Sequence, residues 1–439
     1  MRPRDHTSAR DGRSVFRVST RYGAMQLVRE ALRGPAACRP LWSRRPPALA
    51  YDVVVVGGGG HGLATAYYLA REFGIRRVAV LERTVVGYGN VGRNTTIVRS
   101  NYLLPENHHF YEDSLRRWRT LGRELNYNVM YSPRGVLDLA SSNDDIAGLA
   151  RRGNAMRLAG IDAELLDRAA VERFVPALRG PVPRQFEICG GLLQRRGGTV
   201  RHDAVAWGYA RAAASLGVHI IERCEVLGIE RRAGRVSGVE TTRGYIAAER
   251  IALAVAGRTA ELAGRLGIAL PLETHLLQAC VTEPIKPLLD TVLIYMFPGA
   301  GEVYVSQSDR GGLVFGGMLD GYPSMTQQGQ ITRVRDVARA LTALLPQVAD
   351  LRLLRHWAGM NDMTMDGSPI IDRLGADDLF LNGGWCYGGF KAIPASGHAF
   401  AELIARGASN DLIKPFGLAR FAAGRMLDEK GAGPFPARQ

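Results

Sequence analysis

Gly57, Gly59 and Gly62 stand in G-x-G-x-x-G spacing directly behind the run Tyr51-Asp52-Val53-Val54-Val55-Val56. A second apolar run, Val78-Ala79-Val80-Leu81, closes on Glu82. Residue types in that order suit a grip on a dinucleotide. A glycine at 57 permits a tight turn, and one at 59 lets backbone N–H groups approach a pyrophosphate at a helix N-terminus. Gly62 lets that helix pack on its strand, and Glu82, about 20 residues further on, is placed to take ribose hydroxyls. Glycine spacing alone is a weak signal in a chain with 52 glycines. Strand, glycines, helix, strand and acid in sequence form a strong one.

These residues need a frame. The β-branched run 51–56 reads as a buried parallel strand, and Leu63 to Phe73 as the helix that follows it. Helical periodicity returns in Phe110–Leu125, Asp144–Leu158, Thr199–Leu216 and Arg333–Leu345. Strands are expected at Val218–Arg223, Glu225–Arg231, Val236–Thr242 and Tyr245–Ala254, the last running into the small-residue turn Ala254-Val255-Ala256-Gly257. Residues 271 to about 320 are strand-rich, with a turn at Ser308–Gly312. Phe380-Leu381-Asn382 is a strand, Gly383 to Lys391 a glycine-rich loop, and Ser396–Ile404 a helix. The βαβ signal at both ends and the antiparallel signal between them predict an α/β fold with an α+β insertion. A Rossmann-like dinucleotide domain is expected over 51–105, 195–265 and 355–425. A substrate domain on a mixed or antiparallel sheet is expected over 106–194 and 266–354, behind a basic extension, 1–50.

Composition narrows the function classes. No apolar run approaches the about 18 residues of a membrane span, which predicts a soluble protein. Cys38, Cys189, Cys224, Cys280 and Cys386 are scattered and never in C-x-x-C, so no zinc or disulfide framework is legible and a reducing cytoplasm is expected. The net charge is +14, but residues 1–50 hold eleven Arg against Asp5, Asp11 and Glu30, or +8, which leaves +6 for the body. The body has no basic patch interleaved with aromatics and no nucleic-acid motif. The extension is Arg-rich and lacks the apolar core of a secretory signal. Residues 1–24 carry no periodic pattern, whereas Met25–Arg33 is amphipathic, so Met25 offers a second start. Only four of 56 basic residues are lysines (Lys286, Lys391, Lys414 and Lys430), a bias that points to a G+C-rich bacterial genome. Against that bias, a lysine in a glycine-rich loop is conspicuous.

Longer words point further. GGGGHGLATAYYLA, GRNTTIVRSNYL, ELNYNVM, RRGGTVRHDAVAWG, VTEPIKPLLDTV, YVSQSDRGGLVFGG, DGSPII and GGFKA run from Gly57 to Ala392, within a likeness that extends over about Met25 to Gly431. In them the chain resembles the beta subunits of heterotetrameric sarcosine oxidase, a group of D-amino-acid-oxidase-like flavoproteins. The resemblance implies non-covalent FAD in the glycine domain. It implies contacts to FAD from Arg93, Asn94, Thr95, Val226, Gly257, Gly388, Gly389 and Phe390. It also implies a second flavin, FMN, bound covalently to His202 of the RHD word and shared with an alpha subunit. His61, inside the glycine loop, reads as a tolerated variable position. Cys386-Tyr387 departs from the glycine-threonine pair expected in its loop.

The substrate carboxylate is expected on Arg99 and Lys391. An arginine offers a forked donor pair and a lysine a compact charge. Lys391, or the N–H groups of Gly388 and Gly389, would also stabilise negative charge at the pyrimidine end of a reduced flavin. The implied reaction is oxidation of sarcosine to an imine by hydride transfer to FAD, with electrons passing to FMN and then to O2. Its products are glycine, hydrogen peroxide and a one-carbon unit passed to tetrahydrofolate on the alpha subunit; gamma and delta subunits complete the assembly. Two readings compete with this one. The first is a single-flavin oxidase or dehydrogenase of another secondary amine, such as proline, N-methylglutamate or an opine. The second is a non-catalytic flavoprotein subunit, against which the presence of both Arg99 and Lys391 argues.

Overall fold

The computed structural model describes residues 24–34, 40–43, 45–179, 187–297, 301–375 and 378–429. The chain divides into a short N-terminal unit ending at Leu41 and a large one beginning at Trp42. In the first, Ala24–Arg33 is a helix whose Met25, Val28 and Leu32 are exposed. The expected leader before it, and Cys38, lie outside the described residues.

The large unit is built on two eight-stranded sheets. In the first, Ala50–Val56 lies between Val78–Glu82 and Gly244–Leu253, parallel to both. His219–Glu222 and Leu379–Gly383 extend it in parallel, and Ile370–Arg373 closes one edge antiparallel. Successive side chains of a strand point to opposite faces. Val53 and Val55 therefore enter the core made with helices Gly60–Arg71, His202–Ser215 and Gly389–Arg406. Val54 and Val56 enter a second core, capped by the antiparallel strands Val226–Arg232 and Arg235–Thr241. Burial on both faces is why the sequence reads there as an unbroken apolar run.

The second sheet runs, in spatial order, Leu353–Thr364, Leu272–Pro284, Gly312–Gly317, Gly301–Gln307, Val292–Phe297, Val136–Ala140, Gly190–Gln194 and Glu164–Asp167. It is antiparallel except where Val292–Phe297 meets Val136–Ala140. Helix Ile331–Leu344 packs its apolar face on one side, burying Val334, Val337 and Leu341 with Val303, Val305 and Phe315. A boundary at residue 355 would cut through Leu353–Thr364, which pairs along almost its whole length with Leu272–Pro284 and so belongs to the second sheet. Beyond that strand the chain crosses to the first sheet at Ile370. Asp366, in the crossing, accepts from the buried Arg420 guanidinium at 2.7 and 2.9 Å and from the Leu427 amide, which ties down the C-terminal segment.

Candidate active site

A cleft opens at the C-terminal ends of Ala50–Val56 and Val78–Glu82 and reaches the face of the second sheet. Gly57 turns the chain with φ +113, where a Cβ would strike the Ala254 carbonyl. Gly59 has φ −82 and caps helix Gly60–Arg71; a Cβ there meets nothing within 4 Å. Gly62 does not line the cleft. A Cβ on it would collide with the Gly57 carbonyl and crowd Val55, so its task is the helix–strand approach. Glu82 accepts the Gly58 amide at 2.9 Å and the Thr84 amide at 2.9 Å, which fixes its carboxylate at the cleft rim. Free space in front of helix N–H groups, a carboxylate at the next strand end and a lining that includes Val226 and Gly257 fit a bound FAD.

The glycine loop of residues 383–389 closes over this cleft. Asp362, 2% exposed, accepts the Gly384 amide at 2.5 Å and the Trp385 amide at 3.3 Å. Burial pushes its pKa up to about 6, and the two amides only partly counter that. Cys386 follows with φ 46, a left-handed conformation that glycine adopts without steric cost and that costs an L-residue about 1–2 kcal/mol. The departure from a glycine at 386 is therefore a strained one. Burial lifts the Cys386 thiol to about 12, so it stays protonated.

His61 is not a neutral bystander. Its ring stacks on Trp385 at 4.5 Å and its Nδ1 lies 2.9 Å from the Ser396 hydroxyl. The Asn382 side-chain amide donates to the same hydroxyl at 2.8 Å, and the Trp385 indole donates to the Asn382 oxygen at 2.7 Å. This closed ring joins the dinucleotide loop to the loop above the cleft. Burial holds the His61 pKa at about 3, so the imidazole is neutral. The partners that engage His61 lie more than 300 residues away in the sequence, where no local pattern reveals them.

At the other end of the cleft two cations face one aromatic ring. The Arg99 guanidinium lies 5.1 Å from the centroid of Tyr102, and the Lys391 ammonium lies 5.9 Å from the same centroid. Tyr102 is itself stacked on Tyr111 at 4.0 Å. Arg99 is aimed by a relay: it donates to Asn101 at 2.5 Å, Asn101 donates to Asp138 at 2.9 Å, and Arg152 pairs with Asp138 at 3.1 Å. Burial opposes its charge, but Tyr102, Asp138 and Glu302 outweigh that and raise its pKa. Lys391, 7% exposed, sits in the first turn of helix Gly389–Arg406 and donates to the Tyr387 carbonyl at 2.9 Å. The Lys391 carbonyl is clamped by Ser114 at 2.6 Å and Trp118 at 2.9 Å. A buried cation at the positive end of a helix is unfavourable by itself and favours an anion nearby.

Of the residues expected from sequence, Gly57, Gly59, Glu82, Asn94, Thr95, Arg99, Val226, Gly257, Gly389, Phe390 and Lys391 line this cleft together. Arg93 does not. In the short turn Asn90–Arg93 its guanidinium reaches the Tyr88 and Gly89 carbonyls and covers the Tyr88 ring at 4.6 Å. Asn90 lines the cleft instead, bonded through its side chain to the backbone of Met360. Gly388 is absent from the lining because it lies under Tyr111, whose hydroxyl fills the place of a Cβ. His202 stands apart as the first residue of helix His202–Ser215, beside the Arg201–Asp203 pair. Its buried Nδ1 has no hydrogen-bond partner among the described residues, and burial lowers its pKa, which favours the neutral, nucleophilic ring. Glu302, Tyr304, Asp362 and Trp385 also line the cleft and were not anticipated.

Comparison with known proteins agrees with this geometry. The FAD dependent oxidoreductase (DAO) family model matches residues 52–403. The sarcosine oxidase subunit beta of Rhizobium meliloti (strain 1021) is 57% identical over 95% of this chain and 99% of its own length. That of Rhodobacter capsulatus is 46% identical over 94% of this chain and 98% of its own length. Among solved structures, L-proline dehydrogenase from P. horikoshii superposes with a TM-score of 0.79 at 25% identity, covering 87% of this chain and all of that one. The chain belongs to the FAD-dependent oxidoreductase family and, within it, to the sarcosine oxidase beta subunits.

Proposed function

We propose that the chain is the sarcosine-oxidising subunit of a cytoplasmic, bacterial, four-subunit oxidase that also contains alpha, gamma and delta subunits. The observation that carries the reading is the pair Arg99 and Lys391, brought to one tyrosine ring in the same cleft as Gly59 and Glu82. Arg99 and Lys391 bind the carboxylate of sarcosine. Tyr102, stacked on Tyr111, backs both cations and keeps water from that side of them, which strengthens those charge contacts. Gly57, Gly59 and Glu82 hold FAD without a covalent bond, and Asp362, His61 and Trp385 keep the covering loop in place. Bound there, FAD supplies acceptance of a hydride from the substrate carbon.

His202 is the proposed attachment point of FMN. Its orphaned, buried Nδ1 and neutral ring suit a covalent bond, and its position outside the cleft leaves FAD its own site. In the complex co-expressed with its partners, denaturation is expected to release FAD alone, and the tryptic peptide that holds His202 to be heavier by one FMN. His202→Ala should leave reduction by sarcosine intact and slow turnover with oxygen. An unmodified His202 peptide as the only form in an active complex would replace this reading with a single-flavin amine oxidase.

A further inference from the structure

We propose that Glu302 recognises the ammonium group of the substrate, so that the cleft selects a zwitterion rather than a carboxylate in general. The inference rests on the sarcosine reading and deepens it. Strand Gly301–Gln307 alternates: Val303 and Val305 point into the core of the second sheet, while Glu302 and Tyr304 line the cleft. The neighbouring strand agrees, since Tyr304 pairs with Ile294, also in the lining, and Glu302 pairs with Met296. Glu302 thus belongs to the sheet face that looks at the cations. The electrostatics place it there too, because Glu302 is among the groups that raise Arg99 and that raise Tyr102 and Tyr387.

The other acids of the lining have different positions. Glu82 is bonded to the glycine turn, Glu225 approaches Arg83 at 3.8 Å, and Glu261 pairs with Arg258 and Arg265, all at the dinucleotide end. Asp362 holds the covering loop. Asp362 also lies on the second sheet, in the edge strand Leu353–Thr364, but its carboxylate is taken up by the Gly384 and Trp385 amides, whereas Glu302 shares strand Gly301–Gln307 and the cleft lining with Tyr304. An N-alkyl amino acid carries one negative and one positive group a few bonds apart. Arg99 and Lys391 complement the first and Glu302 the second. A plain carboxylate offers Glu302 no positive group to attract and so lacks the contact that a zwitterion makes.

The test uses the flavin-loaded, co-expressed complex and two ligands of one shape. Sarcosine carries an ammonium where methoxyacetate carries an ether oxygen. Binding is read from perturbation of the flavin absorbance, and sarcosine KM and kcat from turnover. Glu302→Gln is expected to weaken sarcosine at least tenfold, mainly in KM, with methoxyacetate bound as well as before or more tightly. Glu302→Asp, which keeps the charge, should recover part of the loss. Equal weakening of both ligands, or unchanged sarcosine binding, would overturn the role of Glu302. If the wild-type complex itself neither binds nor oxidises sarcosine, the substrate reading fails first, and that outcome is visible before any variant is compared.

Discussion

Gly59→Val is expected to give a folded chain that carries no FAD. Gly59 has an extended backbone that any residue adopts, and a Cβ on it points into open space. That space is where a pyrophosphate must approach the N–H groups of helix Gly60–Arg71. A β-branched side chain would fill it without disturbing the strand or the helix behind it. Gly62→Val is the contrasting case. Its Cβ would run into the Gly57 carbonyl at the helix–strand contact, so the fold itself should suffer. The two variants separate cofactor loss from misfolding when apoprotein thermal unfolding is read beside flavin absorbance. The comparison must be between apoproteins, because bound ligand stabilises the wild type by mass action. Full flavin content in Gly59→Val would place the cradle elsewhere.

Arg99→Ala and Lys391→Ala should each lower the efficiency of sarcosine turnover by about 30-fold or more. Removing one partner of a buried charge pair costs roughly 2–5 kcal/mol, and each 1.4 kcal/mol is tenfold. Both side chains are held before substrate arrives, Arg99 by Asn101 and Lys391 by the Tyr387 carbonyl, so little ordering is needed on binding. Lys391→Arg should also be impaired. The position is buried within the first helical turn, and a planar fork cannot take the place of a compact ammonium there. Unchanged steady-state parameters in either alanine variant would remove that residue from the site.

The first sheet and its glycine turn were legible because strands buried on both faces announce themselves as apolar runs. Boundaries were less so. Helix Gly389–Arg406 begins at Gly389 and not at Ser396, since Gly388, Gly389 and Pro394 read locally as loop. The Lys391 carbonyl finds its partners in Ser114 and Trp118, which no local pattern reveals. Leu353–Thr364 carries Arg355, His356, Asn361 and Asp362, and its identity as a strand comes from pairing with Leu272–Pro284 far upstream. The site divides in the same way. Gly57, Glu82, Arg99 and Lys391 lie in motifs. Glu302, Asp362, His61 and Tyr102 acquire their roles from packing between distant segments. Period-two alternation sorts Glu302 from Val303, but it cannot say which face meets the cleft.

The most direct test of the central claim is anaerobic addition of sarcosine to the flavin-loaded, co-expressed complex, followed by its visible absorbance. Bleaching of the oxidised FAD band by sarcosine, lost in Lys391→Ala at equal flavin content, is the predicted result. An oxidised spectrum that persists under sarcosine and bleaches with proline or N-methylglutamate would contradict the account.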